Sequence, residues 1–68
     1  MARFEQFEVW EFNRGQWVFI ASFRDFDVAH ALARTRRYRV RLMQVMYEDD
    51  KAVDQQVLTE IGVTRDEP

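Results

Sequence analysis

The strongest chemical feature of the sequence is a run of arginines near its centre. Five of the eight residues at positions 34–41 are arginine, and Tyr38 stands among them. Guanidinium groups bind phosphates through paired hydrogen bonds, and an aromatic ring can stack on a base. The run therefore predicts, as one hypothesis, a nucleic-acid-binding surface formed by Arg34, Arg36, Arg37, Arg39 and Arg41.

The charge of the whole chain weakens that hypothesis. Ten basic and twelve acidic side chains give a net charge of −2, and the pI is near 5.3, whereas nucleic-acid-binding modules are usually basic. Residues 1–47 hold eight arginines and five acids, while residues 48–68 hold seven acids and two basic residues. A solvated arginine run that pairs with nearby acids explains the same pattern.

Two other sets of side chains have groups suited to catalysis or metal binding. Ser22 is the only serine, and as a nucleophile it would need His30, the only histidine, as its base. No glycine-rich turn accompanies them to form an oxyanion hole, so we expect no enzyme and no small-molecule substrate. The acids at positions 48–50 and 54 lack the alternating spacing and the glycine of a calcium loop. We therefore expect neither a metal nor any other cofactor.

The size of the chain limits what can position these residues. A domain of 68 residues buries only ~60% of the surface that its unfolded chain exposes. The absence of cysteine excludes disulfides as extra stabilisation, so the ten aromatic residues must form a dense core or an interface. We expect one small α+β domain over residues 1–62 and a frayed tail over residues 63–68.

The first third of the chain predicts a β-hairpin. Residues 7–12 and 16–23 are rich in aromatic and β-branched residues, and Gly15 between them can take the positive φ of a tight turn. A two-residue turn at Arg14 and Gly15 would set the register. The opposed pairs would then be Phe12 with Trp17, Glu11 with Val18, Trp10 with Phe19, and Val9 with Ile20.

After the hairpin, the spacing of the apolar residues changes. Residues 26–37 predict a helix capped by Asp25, and residues 40–47 predict a third strand. Val53, Val57, Leu58 and Ile61 lie on one helical stripe ended by Gly62, which predicts a C-terminal helix. The expected fold is α+β in the order ββαβα, with a three-stranded, mainly antiparallel sheet in the order 2-1-3.

The hairpin is apolar on both faces. Phe23 directly precedes the first helix, so we expect that helix to cover the aromatic face, which strict alternation assigns to Trp10, Trp17 and Phe19. In an antiparallel sheet with one face in contact with water, apolar and polar residues should alternate along each strand, and in this hairpin they do not. We therefore expect the second face to be covered by the C-terminal helix, by another copy of the chain or by a partner.

These observations predict a non-enzymatic module for protein interaction or assembly that binds either a second copy of itself, as a homodimer, or another protein. Its expected contact residues lie on the second sheet face and the C-terminal helix: Phe7, Val9, Val18, Ile20, Val53, Val57 and Ile61. The alternatives are a nucleic-acid-binding accessory protein and a small subunit or inhibitor of a larger enzyme. With no signal-peptide stretch and no apolar run long enough for a membrane span, we expect a cytoplasmic protein without a membrane partner.

Overall fold

The computed structural model describes residues 3–36 and 39–62, so the predicted tail at 63–68 lies outside the described residues. The elements are β1 (Arg3–Asn13), β2 (Gln16–Phe23), α1 (Phe26–Thr35), β3 (Val40–Glu48) and β4 (Lys51–Ile61). The strands form one antiparallel sheet in the order β2-β1-β3-β4. The α+β class and the 2-1-3 adjacency are confirmed. The sheet has a fourth strand that was not predicted, and the described residues contain one helix rather than two.

The first hairpin has the predicted turn. Arg14 and Gly15 have φ values of 52° and 84°, as a two-residue turn of this handedness requires. Phe12 lies opposite Trp17, Glu11 opposite Val18, and Trp10 opposite Phe19, as predicted. Val9, however, lies opposite Ala21, because the register shifts between Val9 and Trp10. Ile20 is therefore the extra residue of a β-bulge.

This bulge decides which face the helix covers. Beyond Ile20 the alternation of β2 is reversed, so Phe23 lies opposite Phe7 and shares the face of Val9. The helix that follows Phe23 therefore packs on that face, and Trp17 lies on the opposite one. The prediction that α1 covers the aromatic face was wrong, because it assumed unbroken alternation along β2.

The core lies between α1 and the sheet. Val9, Val40 and Leu42 have no exposed surface, and they pack against Ala29 and Ala33, one helical turn apart on α1. Alanines at this spacing allow the helix backbone to approach the sheet closely. The helix begins as predicted at its Asp25 cap, which accepts a hydrogen bond from the Asp27 backbone N–H at 2.8 Å.

The predicted C-terminal helix is wrong, because residues 51–61 form β4. Asp49 and Asp50 take positive φ values of 54° and 71° and make a second two-residue hairpin turn. Two register shifts against β3 leave Val53 and Leu58 as extra residues in β4. These bulges break the two-residue period of the strand, so its apolar residues imitate a helical stripe. Among the described residues, no helix has the length and apolar character needed to cross a membrane.

Candidate interaction face

The sheet face opposite α1 carries a band of aromatic, arginine and aliphatic side chains, which we call the open face. The strand registers place on it Phe4, Gln6, Glu8, Trp10, Phe12, Trp17, Phe19, Ser22, Arg41, Met43, Val45, Tyr47, Ala52, Gln55, Val57 and Glu60, and the side chain of Arg39 joins them from just before β3. No helix or further strand of the described residues lies over it, since α1 packs on the other side. Val45 and Glu8 are nonetheless buried, at 2% and 7% exposure, so the larger side chains around them already form a layer.

Cross-strand aromatic pairs organise the part of the open face formed by β1 and β2. Trp10 meets Phe19 edge-on with ring centres 5.5 Å apart, and Phe12 meets Trp17 in the same way at 5.2 Å. Each such contact contributes about 0.5–1.5 kcal/mol beyond the burial of area. The rings therefore have defined orientations although no helix covers them.

Two arginines extend this layer across β3. The guanidinium carbon of Arg41 lies 4.0 Å from the centre of the Trp17 ring, and that of Arg39 lies 5.5 Å from the rings of both Phe12 and Trp17. Cations above aromatic rings are attracted by the negative charge of the ring faces. Both arginines therefore lie against the Trp17 ring, which also contacts Phe12.

Glu60 of β4 anchors both arginines. Arg41 donates to Glu60 Oε2 from Nε at 3.0 Å and from Nη2 at 2.8 Å, while Arg39 Nη2 lies 3.5 Å from Oε1. The hydrogen bonds from Arg41 lower the pKa of Glu60 below its ordinary value, and burial opposes them. The Nε of Arg39 is buried without a hydrogen-bond partner. One carboxylate therefore balances two guanidinium groups, one of which keeps an unused donor.

The buried carboxylate of Glu8 orders the centre of the open face. It accepts hydrogen bonds from the indole Nε1 of Trp10 at 2.9 Å and from the hydroxyl of Tyr47 at 2.6 Å. The bond to Glu8 and partial burial raise the pKa of Tyr47 above its ordinary value, so the phenol stays a neutral donor. This bridge joins β1 to β3 and fixes the plane of the Trp10 ring.

A shallow cleft of about 220 Å³ lies in this layer, lined by Trp10, Trp17, Arg41, Met43 and Gln55. Pockets for small molecules usually measure ~300–1,000 Å³, so this cleft is smaller than most of them. Its lining of two indoles, a thioether, a guanidinium and an amide suits one inserted side chain of a partner better than a whole ligand.

The structure does not bring the seven predicted contact residues together. Val9 has no exposed surface, and Phe7, Ile20 and Ile61 pack against the core, so α1 and the sheet already occupy these four. Three valines remain exposed at separate places: Val18 on β2, and Val53 and Val57 on β4. Of the three, Val57 lies on the open face, opposite Met43.

The arginine run is divided between different surfaces. Arg34 is exposed on α1, and Arg36 donates to Glu11 at 2.9 Å on the side of the sheet that carries the helix. Arg39 and Arg41 lie on the open face, and Arg37 is outside the described residues. The described members of the run therefore do not form one phosphate-binding track.

The residues considered for catalysis or metal binding have structural roles instead. His30 stacks on Phe26 with ring centres 5.4 Å apart, and the acids at 48–50 form the end of β3 and the β3–β4 turn. Within residues 3–36 and 39–62, no three side chains of the metal-binding types come together. Of the residues on the open face, only Val57, Arg39 and Arg41 were among the predicted site residues. The aromatic members were missed because the sequence analysis placed them beneath α1, and Glu60 was missed because its pairing with Arg41 requires β4.

Comparison of the chain with protein-family models, with curated proteins and with solved structures finds no match. Function must therefore be inferred from the geometry and composition of the open face.

Proposed function

We propose that the chain is a non-enzymatic protein-interaction module that binds its partner through the open face. The observation that supports this is the asymmetry of the sheet: α1 covers one side, while the aromatic side has no covering element among the described residues. Phe19 and Val57 on this side are 48% and 47% exposed. Monomers rarely leave contiguous apolar patches larger than a few hundred Å² in contact with water.

The composition of the open face favours a protein partner. The centres of protein interfaces are enriched in aromatic residues, methionine and arginine and are depleted in lysine. Trp, Tyr and Arg are also the residues that most often dominate binding energy. The open face has Trp10, Trp17, Tyr47 and Arg41 around the cleft or beside it, and it has no lysine. Its buried or half-buried acids already accept hydrogen bonds, so a partner need not neutralise them.

The open face is also ordered before binding. Trp17 is held by Phe12 and Arg41, and Trp10 is held by Phe19 and by its hydrogen bond to Glu8. Fixing a mobile side chain costs about 0.5–1.5 kcal/mol on association. Because these side chains are already fixed, a partner would meet a surface that loses little conformational entropy.

A matched pair of variants tests this proposal. Phe19→Asp places a charge on the open face, and Val28→Asp places one on α1, where Val28 is 47% exposed. We expect tagged wild-type and Val28→Asp chains to recover the same stoichiometric protein from the source cells, or an untagged second copy. Phe19→Asp should lose it while remaining folded, with a melting temperature lowered by the loss of its ring contact with Trp10. Recovery of the same proteins by both variants would reject the open face as the binding surface.

Binding of single-stranded nucleic acid is the second candidate function. The open face brings together Arg39, Arg41 and Trp17. A sheet surface with aromatic and basic side chains can stack bases and contact phosphates. Glu60 already neutralises part of this charge, which makes the candidate weaker. Quenching of tryptophan emission by an unstructured oligonucleotide at low salt, lost in Arg41→Gln and reduced steeply by added salt, would favour it over a protein partner.

The remaining alternative is a small subunit or inhibitor of a larger enzyme, and the chain would bind that enzyme through the same open face. The capture experiment identifies it directly, since the recovered protein would be an enzyme whose activity changes when the chain is bound. Loss of that effect in Phe19→Asp, with Val28→Asp unaffected, would place the enzyme on the open face.

A further inference from the structure

Arginines lie at both ends of the aromatic band on the open face. Arg39 and Arg41 lie beside its rings at the end nearest the β1–β2 turn. At the other end, the guanidinium carbon of Arg24 lies 5.8 Å from the centre of the Phe4 ring. Arg41 lies opposite Trp10 on β1, and at ~3.3 Å per residue the distance along β1 from Trp10 to Phe4 is about 20 Å. The open face is therefore basic at both ends and apolar between them.

The acids of the open face are already in use. Glu8 is buried and accepts two hydrogen bonds. Glu60 accepts two from Arg41, and its other oxygen lies 3.5 Å from Arg39 Nη2. The side chain of Arg39 is nonetheless 41% exposed, and Arg24 is exposed and forms no ion pair with another described residue. The charge that this face offers to a partner is therefore positive.

We infer that the partner of the open face is an acidic protein segment, which places carboxylates against the arginines at both ends and an aromatic side chain in the cleft. This inference rests on the proposed function and names the chemistry of its partner. A carboxylate accepts paired hydrogen bonds from a guanidinium group, so it would give Arg39 a counter-ion of its own. The indoles of Trp10 and Trp17 and the thioether of Met43 line the cleft, and a ring packs favourably against such neighbours.

The same charges disfavour a second copy of the chain stacked face to face. A two-fold axis along the strands would place Arg39 and Arg41 of each copy over the same end of the other. An axis across the strands would place them over Arg24. Both arrangements bring like charges together, which costs free energy. A nucleic acid is also a poorer match, since it is charged at every nucleotide and the middle of the face, with Phe19 and Val57, is apolar.

Synthetic polypeptides of defined charge test the chemistry of the partner, with tryptophan emission, excited selectively over tyrosine, as the readout. A random copolymer of glutamate and tyrosine should bind and shift the emission. Polyglutamate, which lacks the ring, should bind at least about tenfold more weakly, and a copolymer of lysine and tyrosine should not bind. The chain itself has a net charge of −2, so it has no general attraction for polyanions. Failure of the glutamate–tyrosine copolymer to bind, or equally tight binding of either control polymer, would overturn the inference.

Matched glutamine variants locate the binding of the copolymer. Arg24→Gln and Arg39→Gln each remove one charge from an end of the open face, and Arg34→Gln removes one from the exposed surface of α1. The first two should weaken binding about tenfold, and Arg34→Gln should leave it unchanged. Arg24 is exposed, so its variant remains informative if Arg39→Gln is destabilised. Equal weakening by all three would show attraction by charge alone and overturn the inference, as would tighter binding of a thymidine oligonucleotide than of the copolymer.

The capture experiment separates failure of this inference from failure of the proposed function. We expect Arg24→Gln and Arg39→Gln to recover less of the captured protein than Arg34→Gln does, and the glutamate–tyrosine copolymer to displace it. Full recovery by both variants, with loss in Phe19→Asp, would show that the open face binds a partner of other chemistry, so that the proposed function stands and this inference falls. A wild-type mass that doubles on concentration, with Phe19→Asp monomeric, would have the same meaning. Recovery that survives Phe19→Asp would reject both.

Discussion

The two faces of the sheet use apolar residues in different ways. Beneath α1, Val9, Val40 and Leu42 are aliphatic and completely buried, and they owe their burial to another element of the chain. On the open face the residues are large and aromatic. Trp10 and Trp17 remain partly exposed, and contacts within their own layer hold them. Substitutions beneath the helix should therefore affect folding most, and substitutions on the open face should affect binding most.

The largest effect on folding should come from Leu42→Ala. Leu42 is fully buried beneath α1, so the variant loses buried area and leaves a cavity, at a cost of about 2–5 kcal/mol in the free energy of unfolding. Met43→Ala is the matched control, since its side chain is the next one along β3 and lies on the open face. Urea unfolding followed by tryptophan emission measures both. Equal losses in the two variants would remove the distinction between the faces.

A smaller effect is expected for Trp17→Ala. The variant loses the edge contact with Phe12 and the cation–π contacts with two arginines, which together contribute about 1–3 kcal/mol. Trp17→Phe keeps a ring beneath Arg41 and should recover much of this loss. If Trp17→Ala instead fails to fold, with Trp17→Phe equally damaged, the residue is part of the core and the open face is not open.

The smallest effect should come from Glu60→Gln. Partly exposed ion pairs contribute about 0–1 kcal/mol, so the loss at neutral pH should be within that range. Because the folded state lowers the pKa of Glu60 below 4.5, its contribution is present above that pH and is lost as the pH falls through the lowered pKa. The difference in unfolding free energy between wild type and Glu60→Gln should therefore shrink in acid. Asp54→Asn controls for the loss of a negative charge alone, and a difference that grows on acidification would contradict the assignment.

The features predicted correctly from the sequence are those encoded locally. The turn at Arg14 and Gly15 and the cap at Asp25 depend on residues within a few positions of each other, and the structure has both. Sharing of one face by Trp10, Trp17 and Phe19 was also predictable from alternation. One inserted residue, Ile20, then reversed the relation of that face to the helix, and nothing within β2 itself marks the bulge.

The features that were missed depend on strand pairing. β4 is stabilised by its ladder with β3, and its two bulges disguise the strand period that would have identified it. The grouping of Arg39 and Arg41 with Glu60 follows from that ladder, as does Val57 on the open face. Because these contacts join distant parts of the chain, the local pattern of residues 51–61 resembled a helix instead.

The most direct test of the open face as a binding surface uses its own tryptophans. The chain has two, Trp10 and Trp17, and both lie on the open face, so their emission reports on that face without any label. Emission maximum and acrylamide quenching should be measured as the wild-type chain is concentrated, and again with any captured partner. Binding on the open face predicts a blue shift and less quenching, with Phe19→Asp unchanged and Val28→Asp behaving as wild type. Emission that stays the same in wild type while association is observed by mass would show that the partner binds elsewhere.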